Sequence, residues 1–515
     1  MYTLDLDNMP LTTLKEITHS TEPIQLEEKY FSKVEASFQT VRKTLTGETA
    51  IYGINTGFGA LADVLVPTQD LLKLQKNLIL SHASGVGDFF PLQTGKLTLL
   101  LKIISLGRGY SGVSPALLHK LIQMYNHNIY PCMPEKGSVG ASGDLAPLAH
   151  FACALIGQGQ VYYNGNLIHA KQALQTSGLD EHTLGPKEGL SLINGLQVST
   201  ATLLEALWQA QILWLHAILI GAISSEAFRA NYSPLDARIH QLKGSNAQAR
   251  TAEILRDLLH SSKLCTRENT KLRIQDPYSF RCLSQTMGSC LDILLYVTSR
   301  LKTEFNAVTD NPLVFADKDE IISGGNFHGE NIAFLSDYLA LALAEIGSLA
   351  ERRIGALIDK KMSLLPPFLV DKSGLRSGFM AAHVTATALV SENKSLAHPC
   401  SVDSIPSSAG QEDHVSMATY ASRRLRTMGT NVVQILAIEL LCAANGIHWL
   451  QSQEGVPNPK LAPKTAKVLT ELHKVVTIYH EDRFLHDDIA AAAQFIHTEK
   501  LIAIAELHQL SLFEG

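Results

Sequence analysis

The chain has 515 residues, of which 18% are charged, and a formal net charge of −6 at pH 7. This acidic balance, without a run of Lys and Arg, argues against nucleic-acid binding. Seven cysteines are scattered without a Cys-x-x-Cys pair, which fits reduced thiols and provides no metal-ligand spacing. The first residues are acidic and lack a basic region followed by an apolar run. We therefore expect no secretory signal, a cytoplasmic location and no metal.

Long apolar stretches with helical spacing dominate the chain, and they contain more Leu and Ala than β-branched residues. Examples lie at 97–106, 199–227, 287–302, 332–360 and 431–451. The clearest strand signal is at 160–168, where Asn164-Gly165 separates aromatic from aliphatic residues and suits a two-residue hairpin turn. These patterns predict a mainly α protein with a small β component.

The stretch 206–225 contains no charged residue and is long enough to span a bilayer. Two glutamines and a histidine lie within it, however, and a glutamate flanks each end. The centre of a large helical bundle also needs a helix that is apolar on most sides. We therefore interpret this stretch as a bundle helix and expect no membrane association.

A run of small residues, Gly140-Ala141-Ser142-Gly143-Asp144, has the composition needed for an internal electrophile. Attack of the Gly143 nitrogen on the Ala141 carbonyl carbon would close a five-membered ring. Loss of two waters, one from Ser142, would leave a methylidene group conjugated to an imidazolone. Such a backbone bend requires residues with little side-chain bulk. On its own, the run is more typical of a loop or a helix start.

Five segments, in this order, resemble the aromatic amino-acid ammonia-lyases. They are 52–59, 137–149, 275–281, 324–328 and 411–417. Within that family the resemblance is closest to the members that act on L-histidine. It implies non-oxidative elimination of ammonia from L-histidine to give trans-urocanate. It also implies a 4-methylidene-imidazol-5-one (MIO) formed from Ala141, Ser142 and Gly143, with no external cofactor.

The family resemblance also implies a fold and an assembly. We expect an N-terminal mixed region with the ring-forming loop, followed by a long helical bundle of the fumarase/aspartase-like helical superfamily. The boundary is placed loosely near Gln197, before the first very long helix, which divides the chain into 1–197 and 198–515. The family forms homotetramers whose active sites draw on more than one subunit, and we expect the same here.

The segment around Arg281 is expected to bind the substrate carboxylate. Asp276 followed by Pro277 predicts an N-cap and a first helical position, so that Tyr278 and Arg281 share one helix face. The planar guanidinium suits a carboxylate, and the resemblance assigns Arg281 to that role. It also assigns Tyr278 to catalysis and Gln275 to substrate binding.

The resemblance assigns three further residues to the neighbourhood of the ring. Tyr52 is the leading candidate for the base that removes the β-proton, which requires a depressed pKa that the ring and Arg281 could supply. Asn194 matches a residue that contacts ring and substrate, and Phe327 matches an aromatic packed beside the ring. Asp144 is expected to begin a helix, so that the ring would lie at its positive end.

His82 and Glu412 are the residues expected to select the substrate. Phenylalanine- and tyrosine-specific relatives carry other residues at the position of His82. Glu412 could hydrogen-bond or pair with the substrate imidazole. It could also serve as the base in place of Tyr52, or act as a helix-start acid before the apolar run 415–428.

Three residues beside the candidate site depart from the usual family pattern, and they leave strict histidine preference open. They are Leu196, Phe280 and Gly410. An aromatic amino-acid 2,3-aminomutase could use the same ring. A tyrosine or phenylalanine lyase is disfavoured by His82 and Glu412. A non-catalytic helical scaffold is the alternative from a different class of protein.

Overall fold

The computed structural model describes residues 1–45, 50–452, 460–510 and 512–513, and most of these residues are helical. The helices in this part of the chain are α1 Leu11–His19, α2 Glu28–Thr44, α3 Leu71–His82, α4 Leu92–Gly107, α5 Pro115–Asn126, α6 Leu145–Leu155, α7 Ala170–Thr176, α8 Glu188–Ile193, α9 Gln197–Phe228, α10 Ala237–Lys243, α11 Asn246–Leu258, α12 Tyr278–Arg281, α13 Leu283–Phe305, α14 Glu330–Ile358, α15 Lys360–Ser363, α16 Met380–Leu396, α17 Ala418–Gln451, α18 Pro463–Leu472, α19 Leu485–His497 and α20 Lys500–Ile504. The mainly α prediction is confirmed.

Short strands make up the small β component. They are β1 Tyr2–Leu4, β2 Ile24–Leu26, β3 Val86–Phe89, β4 Ile129–Pro131, β5 Pro134–Lys136, β6 Gln160–Tyr163, β7 Asn166–His169, β8 Leu313–Phe315 and β9 Glu320–Ile322. β6 and β7 form the predicted hairpin, with Tyr163 opposite Asn166. Asn164 and Gly165 both have positive φ, +48° and +83°, as a two-residue turn of this type requires.

The three longest helices, α9, α14 and α17, pack together as the centre of the bundle, with α13 and α4 also against α9. Among the described residues these are the helices long and apolar enough to cross a membrane by length and composition. The most apolar window is 89% buried within the protein in α9 and 83% buried in α17. The stretch 206–225 therefore lies inside a helical bundle, as its polar residues indicated. In α14 the corresponding window is only 61% buried.

The division of the chain near Gln197 stays a prediction. α9 does begin at Gln197. One hydrophobic core, however, runs continuously from residues of the first helices to residues of the last ones, across that point. The candidate site lies where these two parts meet, because the loop before α6 contacts the first turns of α9 and α17.

Candidate active site

The small-residue loop before α6 is held from two sides by hydrogen bonds. Gly143 lies beside Gly195 in a parallel bridge, and the Asp144 N–H donates to the Gly195 carbonyl at 2.8 Å. On the other side the Ser416 hydroxyl donates to the Gly140 carbonyl at 3.1 Å. The loop is therefore pinned between the turn that precedes α9 and the turn that precedes α17.

Two glycines in this loop cannot be replaced without a steric clash. Gly140 and Gly143 have φ of +70° and +73°, in the left-handed region that side chains disfavour. A Cβ on Gly143 would lie 2.1 Å from the Gly195 carbonyl oxygen, and a Cβ on Gly140 would lie 2.2 Å from the Ser416 hydroxyl. The smallness of the loop is thus a requirement of its fold.

Asp144 begins α6 as predicted, but its carboxylate does not cap that helix. It accepts hydrogen bonds from the Ser199 N–H at 2.8 Å and from the Thr419 hydroxyl at 2.9 Å. Burial raises the pKa of Asp144, while these hydrogen bonds act in the opposite direction. The side chain joins the first turns of α6, α9 and α17 at the base of the loop.

A cavity of about 340 Å³ opens over this loop. Its described wall includes six of the residues predicted for the site: Tyr52, His82, Ser142, Asn194, Phe327 and Glu412. Ala141 and Gly143 are buried on either side of Ser142. Phe327 lies half-buried in the wall. The fold therefore brings together segments that lie far apart in the chain.

Glu412 lies beside the central residue of the loop. The Ser142 hydroxyl donates to Glu412 Oε1 at 3.2 Å, and the Ser407 hydroxyl donates to Oε2 at 2.6 Å. The interpretation of Glu412 as a helix-start acid is wrong, because α17 begins six residues later, at Ala418. Met417, with φ of +56°, separates the preceding turn from the helix.

Tyr52 lies in the cavity wall with its ring at right angles to that of Phe58, at a centroid distance of 6.4 Å. Its hydroxyl accepts a hydrogen bond from the Gly59 N–H at 3.3 Å. Burial raises the pKa of Tyr52, and the Glu412 carboxylate raises it further. No Lys or Arg stands beside this hydroxyl among the described cavity residues, and the base role of Tyr52 stays a prediction.

His82 is the last residue of α3, and its ring has a defined hydrogen-bonding state. Nδ1 lies 2.9 Å from the Leu78 carbonyl oxygen, which only an N–H can satisfy. The Ser81 hydroxyl also lies 3.1 Å from Nδ1. In the tautomer with the proton on Nδ1, Nε2 is an acceptor. A half-buried histidine of this form in the cavity wall can accept a hydrogen bond from a ligand.

Asn194 is held from three directions at the end of α8. Its Nδ2 donates to the Asn311 carbonyl at 3.0 Å, and its Oδ1 accepts from the Gly195 N–H at 3.0 Å. The ammonium of Lys102, on α4, donates to the Asn194 carbonyl at 2.8 Å. Burial lowers the pKa of Lys102 to about 7 against the opposing effect of Asp310.

Sequence reasoning missed Lys102 and Asn311, which both hydrogen-bond Asn194 directly although they lie far from it in sequence. Lys102 lies within an apolar helix, where a single lysine resembles a side chain that reaches the surface. Asn311 is part of the polar run Thr309-Asp310-Asn311 after α13, and this run was the one available signal. The structure shows that both are buried.

Gln275, Tyr278 and Arg281 do not line the cavity over the described part of the chain. They lie at α12, which packs on α13 and α14. Gln275 is exposed and Tyr278 is 69% exposed. Arg281 stacks over the Tyr278 ring at 4.7 Å and donates from Nε to the Asp276 carbonyl at 3.3 Å.

The predicted cap of α12 is wrong, although the shared face of Tyr278 and Arg281 is present. The residue that precedes the helix is Pro277, and it provides no side-chain cap. Asp276 instead accepts hydrogen bonds from the Asn231 N–H at 2.6 Å and from Arg273 Nε at 3.1 Å. Asp276 therefore ties the start of α12 to the segment that follows α9. The side chains of Gln275 and Tyr278 stay exposed.

Comparison with known proteins defines the class of this site. A family model described as aromatic amino acid lyase matches residues 9–474. Histidine ammonia-lyase from Vibrio cholerae is 48% identical over 485 residues, which is 94% of this chain and 94% of that protein. Histidine ammonia-lyase from Legionella pneumophila is 49% identical over 488 residues, 95% of each chain.

Solved structures agree with this result. Histidine ammonia-lyase from Trypanosoma cruzi superimposes with a TM-score of 0.89 at 35% identity, over 100% of this chain and 97% of that one. A tyrosine aminomutase from Streptomyces globisporus superimposes with a TM-score of 0.91 at 31% identity, over 98% of each. The fold and the site thus define a carbon–nitrogen lyase. The chain belongs to the aromatic amino acid lyase family.

Proposed function

We propose that this chain is a histidine ammonia-lyase, which eliminates ammonia from L-histidine to give trans-urocanate. The observation that carries the proposal is that Ser142 lies within hydrogen-bonding distance of Glu412, in a cavity that has His82 in its wall. The relatives with 48% and 49% identity are histidine ammonia-lyases. The overall shape does not select the substrate, because it is shared with a tyrosine aminomutase.

Residues 141–143 fit an MIO group that the chain forms from itself. Ring closure needs a sharply bent backbone with no Cβ at the attacking residue, and Gly143 has positive φ and no room for a Cβ. The hydrogen bonds from Ser416 and to Gly195 hold this bend from both sides. Once formed, the ring supplies an electrophile that ordinary side chains lack.

The cavity residues bind and orient the substrate. His82, with Nε2 as an acceptor, and Glu412 offer two acceptors, which suit the N–H of a neutral imidazole and both N–H groups of an imidazolium. Asn194 orients the substrate near Ser142, and Phe327 covers the same region. Elimination breaks the Cα–N bond, transfers one β-proton to a base and forms the Cα–Cβ double bond. Tyr52 and Glu412 are the two candidate bases, because both line the cavity.

We further propose that a second copy of the chain completes the site with Gln275, Tyr278 and Arg281. Support comes from the exposure of Gln275 and Tyr278 and from the single weak hydrogen bond of Arg281. An arginine so placed has one face on the Tyr278 ring, and its two terminal NH₂ groups donate to no described residue, which leaves that edge for a carboxylate. The assembly expected from the family is a homotetramer.

The surface next to α12 supports such an assembly. Phe334, Tyr338 and Leu341 on α14 are 43–49% exposed and lie on one helix face at intervals of four and three residues. The ring of Tyr296 on α13 lies 6.0 Å from that of Tyr338, so the apolar face continues onto the next helix. An exposed apolar face of this extent is typical of a protein–protein interface.

A second copy would also change the protonation of Tyr52. In the single chain, burial and Glu412 both raise its pKa, which keeps the hydroxyl protonated at neutral pH. Arg281 of a second copy in the same cavity would lower that pKa by its positive charge. A base role for Tyr52 therefore depends on the assembly.

A cytoplasmic location agrees with seven free cysteines.

Incubation with L-histidine, L-tyrosine and L-phenylalanine in parallel tests the substrate. We expect free ammonia and near-ultraviolet absorbance of a conjugated product from L-histidine, at a kcat/KM at least about 100-fold above the others. A β-amino acid without free ammonia would identify an aminomutase instead. Faster turnover of tyrosine or phenylalanine would overturn the assignment of His82 and Glu412.

A further inference from the structure

A cluster of two histidines and one glutamate lies next to the cavity but outside its described wall. It consists of His328, Glu330 and His414, and one ring nitrogen of each histidine and one carboxylate oxygen all lie within 4.8 Å of one another. The residues are too far apart in sequence for any spacing motif, since 86 positions separate the two histidines. His328 and Glu330 are two residues apart, and the fold brings His414 to them.

The hydrogen bonding of His328 leaves it in a form that can bind a metal. Its Nε2 lies 3.2 Å from the His414 carbonyl oxygen and is therefore a donor, which makes Nδ1 the acceptor in that tautomer. Metal-ligating histidines commonly donate their other N–H to a backbone carbonyl in this way. The only contact recorded at Nδ1 among described residues is a long one, from the Glu330 N–H at 3.3 Å.

Glu330 contributes a carboxylate oxygen, Oε2, that has no hydrogen-bond partner among the described residues. Its Oε2 is shielded from solvent and accepts no hydrogen bond from any residue in the described part of the chain. The ring nitrogen recorded closest to it is His414 Nε2 at 3.8 Å, too far for a hydrogen bond. A buried carboxylate oxygen without a partner is costly, and a cation would relieve that cost.

The two imidazole rings are stacked, with centroids 5.6 Å apart and planes only 8° from parallel. The two rings and the carboxylate of Glu330 together provide the donor set His₂Glu. Three such ligands with an open position are characteristic of zinc, and imidazole favours zinc, copper, nickel and cobalt over magnesium or calcium.

We propose that His328, Glu330 and His414 form a binding site for a divalent transition-metal ion of the zinc type. His328 directly follows Phe327, and His414 lies two residues after Glu412. A metal bound here would link the segment that carries Phe327 to the segment that carries Glu412, on the side of the cavity formed by these two residues. Its role is to hold the two segments together, and it does not enter the reaction.

Metal titration of the full chain tests this proposal. After treatment with a chelator and desalting, the protein is titrated with Zn²⁺ by calorimetry and with Co²⁺ by visible absorption. We expect one equivalent per chain, a raised melting temperature with metal, and no competition from Mg²⁺. His414→Gln and Glu330→Gln should each weaken Zn²⁺ binding on the order of 100-fold.

The matched control is His127→Gln, which removes an exposed histidine outside the cluster. Its Zn²⁺ affinity should equal that of the unaltered chain. His414 and Glu330 lie on different segments, so a folding defect in one variant leaves the other informative, and circular dichroism identifies such a defect. The absence of saturable binding, or an equal affinity in all three variants, would overturn the proposal.

Discussion

The loop at residues 140–144 and the segment at 275–281 both carry residues of the proposed site, yet they are held in opposite ways. The loop is fixed by buried hydrogen bonds from α9 and α17, and Asp144 joins the first turns of these two helices to that of α6. The segment lies on the surface, where Tyr278 is 69% exposed and Arg281 makes one weak hydrogen bond. Over the described part of the chain, the loop is held by contacts within its own chain, whereas Gln275, Tyr278 and Arg281 do not reach the cavity.

The difference reflects what each part has to do. Ring formation from Ala141, Ser142 and Gly143 requires one fixed backbone shape, and the chain must provide it by itself. Binding a carboxylate requires only that an arginine reaches the substrate, and a second copy can supply it as the assembly forms. Substitutions in the loop should therefore affect covalent chemistry, whereas those of Gln275, Tyr278 and Arg281 should affect binding without affecting the fold.

The largest effect is expected from Ser142→Ala, which removes the hydroxyl that is lost during ring formation. Turnover of L-histidine should fall on the order of 1,000-fold or more. Intact mass spectrometry of the unaltered protein should show a mass about 36 Da below that encoded, since ring formation releases two waters. Ser84→Ala, which alters an exposed serine, should keep both the mass deficit and the activity.

A smaller loss is expected from Arg281→Met, which removes the carboxylate contact. We expect kcat/KM to fall on the order of 100-fold, with Arg281→Lys intermediate because it keeps the charge but not the planar fork. The melting temperature and the mass deficit should stay unchanged, because Arg281 makes little contact within its own chain. A large loss of stability would instead place Arg281 among the structural residues.

The smallest effect is a pH dependence of stability from Lys102, whose pKa burial lowers to about 7. Between pH 7 and about 10 the unfolded chain holds this proton and the folded chain does not. As the pH increases over this range, the free energy of unfolding of the unaltered chain should therefore increase relative to that of Lys102→Met, by up to about 1.4 kcal/mol per pH unit.

Denaturant unfolding at pH 7, 8 and 9 measures this trend. Arg281→Met serves as the comparison from the exposed segment, and its stability should follow that of the unaltered chain at every pH. If the free energies of unfolding of Lys102→Met and of the unaltered chain change with pH in the same way, burial does not lower the pKa of Lys102.

The elements that sequence patterns predicted well are those fixed by local physics. The apolar stretch 199–227 is long, rich in Leu and Ala, and lies within α9. Asn164-Gly165 forms the predicted turn because both residues accept positive φ. Four of the five motif segments each carried one predicted residue into the cavity wall, namely Tyr52, Ser142, Phe327 and Glu412, and His82 and Asn194 joined them from outside the motifs.

What sequence patterns could not predict depends on contacts between distant segments. Asp276 does not cap α12 because Asn231 and Arg273 compete for its carboxylate. The pKa of Tyr52 depends on burial and on Glu412, which is 360 positions away. Lys102 acts through a carbonyl oxygen, and carbonyl contacts leave no trace in residue type.

Complementation between two inactive variants tests most directly whether two chains build one site. Ser142→Ala and Arg281→Met chains with different affinity tags are expressed together, and assemblies that carry both tags are purified. If each site takes its cavity from one chain and Arg281 from another, random mixing should restore about a quarter of the unaltered activity. Activity no higher than that of the two separate variants would contradict this arrangement and would mean that Arg281 does not serve the site of another chain.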